Sequence, residues 1–350
     1  MVQMSKKSRL FEEHDIPIKD GHLYAKLMFP KSPMKPKRLV FMPPLIGASA
    51  SQSLMLFRNI SRRGAVLVSY EYRGHPRSTG TFELDDTLID TRYAIRWASE
   101  YARERGLPMH AVTVCYGLVS LLAAQFKKGQ ANKATPAELD FPSPFWSINA
   151  VSGLFTLDQI IRFEDFAPLF GQKLGRELDR ESFLAGIDEG IYDWSGDAFR
   201  DAMQEFLKDL FPVIDIGRDY FAELNYDRVD ISKTLKQLLN ADYLENIEVP
   251  PEIPCNFFFG QHDDLLQVNT LEGQERYFKI MRSVVPHAIS HMADVDHNGF
   301  GPDRNPIVDG IADLCEEAEA KAVPLGIRID SQEADTGPLT HRNTQHELNR

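Results

Sequence analysis

The stretch from Met109 to Phe126, MHAVTVCYGLVSLLAAQF, constrains this chain more than any other. Its first half, with the apolar and β-branched run Ala111-Val112-Thr113-Val114, reads as a buried strand. Cys115-Tyr116-Gly117 interrupts it, and the Ala/Leu-rich segment from Leu118 to Phe126 reads as a buried helix. A strand that turns sharply into a helix sets one residue, Cys115, at the corner, at the helix N-terminus. Taken alone, the same five residues also describe an inert core thiol at the end of a central strand.

Composition bounds the rest. With 350 residues, 43% hydrophobic and 26% charged, the chain has room for one large α/β domain with an inserted subdomain, or for two domains. No apolar run approaches the roughly 20 residues of a membrane span, and the basic N-terminus has no apolar segment behind it, so a cytoplasmic protein is expected. Cys115, Cys255 and Cys315 are widely spaced and odd in number, which fits neither a disulfide framework nor a Cys-x-x-Cys metal site. No histidine and carboxylate pair has a metal-ligand spacing, so no metal is expected. The formal charge of −12 argues against a general nucleic-acid binder.

Strands and helices alternate along the first part of the chain. Residues 14–29 suggest two strands around Lys19-Asp20-Gly21, a hairpin signal. Leu39 to Met42 suggests a buried strand that runs into Pro43-Pro44-Leu45-Ile46-Gly47. A helix is predicted over 52–63, stopping at Gly64, followed by a strand over Ala65–Tyr70. Another helix is predicted from Leu84 to Arg105, with Ile89, Tyr93, Trp97 and Tyr101 as its core-facing stripe. Phe145 to Val151 reads as the next strand. This alternation predicts a mostly parallel sheet covered on both faces.

From residue 154 to 247 the pattern changes to helical periodicity with many acidic and aromatic residues and no buried strand. Core features resume with the apolar segment Cys255–Gly260, a helix over 271–282, a strand over 287–292 and a last helix over 305–322. The expected organisation is a core over 1–153, a helical cap over 154–247, a second core part over 248–322, and a disordered polar tail over 323–350.

Three segments together resemble the α/β-hydrolase superfamily. Thr113-Val114-Cys115-Tyr116-Gly117 resembles its G-x-S-x-G nucleophile elbow, with cysteine at the nucleophile and threonine for the first glycine. Tyr72 to Gly80, YRGHPRSTG, resembles the R-G-x-G-x-S loop after the fourth strand, whose usual role is structural. Gly260-Gln261-His262-Asp263 resembles the loop carrying the triad acid, although spacing alone leaves Asp264 open, and His297-Asn298-Gly299 stands where the family keeps its catalytic histidine. The resemblance spans residues 14–322 and implies an α/β-hydrolase fold, with Cys115, Asp263 and His297 as a catalytic triad in the family's chain order. It implies an oxyanion hole from the N–H of Tyr116 and that of Leu45 or Ile46, since Pro43 and Pro44 have none to give. Ser120 is the rival nucleophile, but three residues into the helix it is expected to pack.

A cysteine in this position points to acyl transfer. Thiol attack on a thioester yields another thioester of similar energy, whereas serine would give a lower-energy oxyester suited to irreversible hydrolysis. The combination resembles the type II thioesterase-like acyl- and aminoacyltransferases of nonribosomal peptide or polyketide assembly lines. That resemblance implies no cofactor of the protein's own and an acyl group carried on the phosphopantetheine of a partner carrier protein. The cap aromatics, among them Phe155, Phe163, Tyr192 and Trp194, suggest an apolar pocket without showing which of them line it. A cysteine-dependent thioesterase or esterase is the alternative, as are relatives that feed fatty acids to bioluminescence. Smaller dienelactone-hydrolase-like enzymes and a non-catalytic pseudo-hydrolase fit less well.

Overall fold

A computed structural model describes residues 10–31, 33–127, 141–155, 163–175, 177–190, 228–240, 243–264, 266–297, 299 and 301–322. The strands are β1 (Phe11–Ile18), β2 (Gly21–Met28), β3 (Arg38–Phe41), β4 (Ala65–Tyr70), β5 (Met109–Val114), β6 (Phe145–Val151), β7 (Cys255–Gly260) and β8 (Ile289–Ala293). They form one eight-stranded sheet in the order β1-β2-β4-β3-β5-β6-β7-β8. The hairpin β1–β2 and the pair β2–β4 are antiparallel, and all other pairs are parallel. Strands β3, β4, β5 and β7 are buried at every residue. Their largely apolar character follows from cover on both faces, and Arg38, Ser69, His110, Thr113 and Asn256 are the buried polar exceptions.

The helices are α1 (Ala50–Leu56), α2 (Asp86–Glu104), α3 (Tyr116–Phe126), α4 (Phe163–Leu174), α5 (Arg180–Asp188), α6 (Ile231–Asn240), α7 (Leu271–Val284) and α8 (Arg304–Ala322). Two differ from expectation. The helix predicted over 52–63 is two pieces: α1, begun by a capping box of Ser49 and Gln52, stops at Phe57, and a 3₁₀ turn covers Arg58–Arg63. In α2 the buried face is Thr87, Asp90, Thr91, Ala94, Ile95, Ala98, Tyr101 and Ala102. Of the expected stripe only Tyr101 is buried, because small residues let α2 lie close to its neighbours while the larger rings sit at its margin. There Trp97 packs on His14 of β1, with ring centroids 5.2 Å apart.

Between β6 and β7 the described residues contain α4, α5 and α6 and no strand. Lys236 of α6 pairs with Asp188 of α5, and Arg180 donates to the carbonyl of Leu239. Val229, just before α6, bridges to Phe82, and Arg228 donates to the carbonyls of Ser78 and Gly80, both at 2.7 Å. Much of the segment expected as a cap, including Tyr192 and Trp194, and the 323–350 tail lie outside the described residues. No described helix is long and apolar enough to cross a membrane.

Helix α8 packs on β6 and closes a polar cluster at the amino ends of the parallel strands. Arg38, only 2% exposed, donates to Glu319 at 2.6 Å, and Glu319 also meets His110 Nε2 at 3.1 Å. His110 Nδ1 lies 2.8 Å from Ser147 Oγ, and Cys315 Sγ lies 3.8 Å from Asn149 Nδ2. The six residues come from β3, β5, β6 and α8, so the cluster ties the last helix to the sheet.

Candidate active site

Cys115 stands between β5 and α3 with φ of +49° and ψ of −125°. For a residue with a Cβ this is a strained corner, holding on the order of 1–3 kcal/mol. The surroundings over-determine it. The Cys115 N–H donates to Val151 at 3.4 Å, and its carbonyl accepts from both Leu118 at 3.1 Å and Leu154 at 3.2 Å. Gly117 permits a close approach on the other side, since a Cβ there would stand 3.0 Å from the Pro43 carbonyl. Helix α3 behind the corner is buried at ten of its eleven residues, so the corner is backed by a rigid element.

The loops after β7 and β8 are joined through their backbones. Gln261 donates to Ala293 at 2.8 Å and His262 to Val295 at 3.2 Å. Gly260 makes this possible, because a Cβ there would come within 2.2 Å of the Val295 carbonyl. These contacts deliver Asp263 and His297 to each other: Nδ1 of the histidine lies 2.9 and 3.0 Å from the two carboxylate oxygens. Asp263 is fully buried, and its Oδ1 also accepts the Leu266 N–H at 3.0 Å. Asp264 faces outward and pairs with Asn269. Geometry thus separates two carboxylates that spacing could not.

With Nδ1–H donating to Asp263, Nε2 is the ring atom left for chemistry. It is buried and makes no hydrogen bond of ordinary geometry among the described residues, yet Cys115 is close enough to act on it electrostatically. Burial opposes a charged imidazole here. The Asp263 carboxylate first, and then Cys115, outweigh it and hold the His297 pKa well above its ordinary value. The structure therefore brings Cys115 and Asp263 to the same histidine, with the carboxylate on Nδ1 and Cys115 within electrostatic reach of the ring.

The remaining sequence-predicted residues fall into place around this histidine. Tyr116 opens α3, where its N–H has no intrahelical acceptor. Its side chain is buried and shares a hydrogen bond of 2.6 Å with Thr87. Leu45 and Ile46 lie in a turn closed by the Ala48 N–H on the Leu45 carbonyl at 3.1 Å. Among the described residues their own N–H groups have no acceptor. Ser120 is fully buried, its hydroxyl 3.2 Å from the Gly117 carbonyl and 3.1 Å from the Tyr72 hydroxyl. Cys255 and Cys315 are buried, and desolvation pushes both thiols up to about 12.

Phe155, one of the aromatics counted with the cap, belongs to the core. It is fully buried against Phe257 and Tyr277, with centroids 5.5 and 5.4 Å away. Phe163 is on α4, 5.8 Å from Phe183. Two residues escaped the sequence reading. Tyr277 donates to the Gly153 carbonyl beneath the corner, and its buried hydroxyl feels both Asp263 and Cys115. His75 accepts the Gly47 N–H at 3.1 Å. Both contacts join residues distant in sequence, so no motif announces them.

No protein-family model matches the sequence, and no curated protein matches it. Solved structures do. A lipase in an open form is 12% identical, covers 88% of this chain and 99% of its own, and superposes with a TM-score of 0.57. A thermostable carboxyl esterase from Bacillus coagulans, in complex with glycerol, is 13% identical over 89% of this chain and 99% of its own, with a TM-score of 0.53. A hyperthermophilic esterase from the archaeon Pyrobaculum calidifontis is 14% identical over 89% of this chain and 86% of its own, with a TM-score of 0.50. With the strand order, the parallel core and the sharp corner after β5, these likenesses define the architecture: the chain has the α/β-hydrolase fold.

Proposed function

We propose that this protein is an acyltransferase that moves an acyl or aminoacyl group between thiols through a thioester on Cys115. The observation that carries the reading is the histidine held between a buried carboxylate and a cysteine at a strained strand-to-helix corner. The Cys115 sulfur attacks the carbonyl carbon of an incoming thioester, and its proton goes to Nε2 of His297. Asp263 stabilises the imidazolium and fixes its tautomer. The tetrahedral oxyanion takes hydrogen bonds from the N–H of Tyr116 and of Leu45 or Ile46. Its collapse breaks the bond to the leaving thiolate, which collects the proton from His297. An acceptor thiol then reverses these steps, regenerating the Cys115 thiol and carrying the acyl group away as a new thioester.

The presence of sulfur supports transfer, because the acyl group stays activated throughout. A phosphopantetheine thiol on a carrier protein is the donor and acceptor proposed, with no cofactor bound by the enzyme itself. A second reading, a cysteine-dependent esterase or thioesterase, is favoured by the structural neighbours described as esterases and a lipase. It differs only in the acceptor, which is then water.

Intact-protein mass spectrometry after incubation with acyl thioesters tests the common step. An adduct is expected on the natural protein and on Ser120→Ala, and none on Cys115→Ala. An adduct that survives Cys115→Ala would move the nucleophile elsewhere, and no adduct on any form would favour a non-catalytic role. A radiolabelled acyl-carrier donor with an unloaded acceptor carrier then separates the two readings. Label appearing on the acceptor supports transfer, and release as free acid regardless of acceptor leaves a hydrolase.

A further inference from the structure

The chain leaving β4 runs alongside the 42–50 loop and holds it at four successive points. Ser69 Oγ donates to the Met42 carbonyl at 2.8 Å, and the Tyr72 hydroxyl donates to the Pro44 carbonyl at 3.1 Å. His75 Nε2 accepts the Gly47 N–H at 3.1 Å, and Glu71 Oε1 accepts the Ala50 N–H at 3.4 Å. All four side chains are buried. Ser69 and Glu71 act on the loop's flanks, Tyr72 holds the peptide that joins Pro44 to Leu45, and among these four His75 alone holds the central peptide of the turn that contains Leu45 and Ile46.

That turn depends on its central peptide. Ala48 N–H bonds the Leu45 carbonyl, so Ile46 and Gly47 are its middle residues, and Gly47 has φ of +78°. Positive φ at the third residue is the mark of a type II turn, and types I and II differ by a flip of the peptide between the two central residues. The Gly47 N–H belongs to that peptide. An acceptor facing it selects one orientation, and the only side-chain acceptor it has among the described residues is His75 Nε2.

We propose that His75 is a positioning residue for the oxyanion hole, acting through the Gly47 N–H to hold the 45–48 turn and its donors in one orientation beside Cys115. The imidazole suits this task because it is lodged on both sides. Nδ1 lies 3.5 Å from the Arg73 carbonyl, and the ring is flanked by Tyr72 and Phe82 at centroid distances of 6.0 and 5.7 Å. The loop carrying it is pinned in turn by Arg73 on Asp90 at 2.7 Å and by Arg228, which reaches the His75 carbonyl at 3.4 Å. Burial, reinforced by the positive charge of Arg228, pushes the His75 pKa down to about 4, which keeps Nε2 an acceptor at neutral pH.

The inference rests on the reading of Cys115 as the residue that is acylated. Its test compares two reactions of the same sulfur. Acylation by p-nitrophenyl butyrate passes through an oxyanion, and alkylation by iodoacetamide does not. His75→Leu removes the acceptor, and His75→Gln keeps one. The expected result is acylation of His75→Leu slowed on the order of tenfold to a hundredfold, with His75→Gln recovering most of the rate and both variants alkylated within about twofold of the natural protein. Unchanged acylation in His75→Leu would overturn the proposal. So would alkylation falling in step with acylation, which would make His75 a general prop of the fold. Should the natural protein be alkylated at Cys115 but never acylated, the acyl-enzyme reading itself fails and this inference falls with it. That outcome is distinct from the first two, in which acylation of the natural protein is observed.

Discussion

At the carboxyl ends of the parallel strands His297 stands between Asp263 and Cys115, and at their amino ends His110 stands between Glu319 and Ser147, with Cys315 nearby. By residue type the second cluster is the fuller one, since serine, histidine and glutamate form a continuous hydrogen-bonded line there. The difference lies in what each histidine has left over. Both ring nitrogens of His110 are engaged and α8 lies over them, whereas His297 Nε2 has no ordinary hydrogen-bond partner among the described residues. Their electrostatics diverge as well. Burial holds the His110 pKa below its ordinary value, and the charges beside His297 hold it above. A satisfied cluster of the right residues is a fastener, while a reactive one keeps an atom in reserve.

The largest effect that could break this contrast is on acylation. Asp263→Asn, which leaves the imidazole without the partner that fixes its tautomer, should slow Cys115 acylation on the order of ten-thousand-fold. Glu319→Gln at the other end should leave it within about twofold. Comparable losses in both variants, measured by the p-nitrophenol burst, would mean that the two clusters are not functionally distinct.

Stability should show the reverse. Arg38 is almost fully buried and Glu319 is its closest acid partner, so Glu319→Gln should cost about 2 kcal/mol in urea unfolding. Glu316, 3.2 Å from Arg38, and the partial exposure of Glu319 keep the effect below that of a wholly buried pair. A loss indistinguishable from zero would show that α8 is held by apolar contacts alone.

The smallest effect is on the pH dependence of stability. His110 has a depressed pKa, so the unfolded chain takes up its proton first, and stability is lost as pH falls below about 6.5. His297 has a raised pKa, so its contribution is complete below about 6.5 and is lost as pH rises through the raised value. Unfolding free energies of His110→Asn and His297→Gln across pH should therefore flatten opposite sides of the natural protein's curve. Flattening on the same side would show that the assigned directions are wrong.

Much of this fold was legible in the sequence for one reason. Buried parallel strands are short, largely apolar runs, and the residues just past β5 and β7 break that pattern, so Cys115 and the pair Asp263-Asp264 stood out by position. The histidine followed in the same way after β8. What could not be read were choices made by tertiary contact. Asp263 and Asp264 are equivalent in spacing, and only the close approach at Gly260 selects between them. The face of α2 was misread because periodic aromatics draw attention, while Ala94, Ala98 and Ala102 make the close contact. The amino-end cluster gave no signal, since its members come from β3, β5, β6 and α8.

The strained corner at residue 115 has a consequence for how such a chain would drift. Glycine adopts positive φ without a steric penalty, so Cys115→Gly should relax the backbone and raise thermal stability by about 1 kcal/mol, less the packing lost with the thiol. The inert protein would then be the sturdier one. In a lineage freed from its chemistry, mutation would find this exit readily, because a single base change converts a cysteine codon to a glycine codon. A cysteine at this corner therefore stands against the preference of the backbone that carries it, and on the proposed reading only its chemistry would oppose that drift.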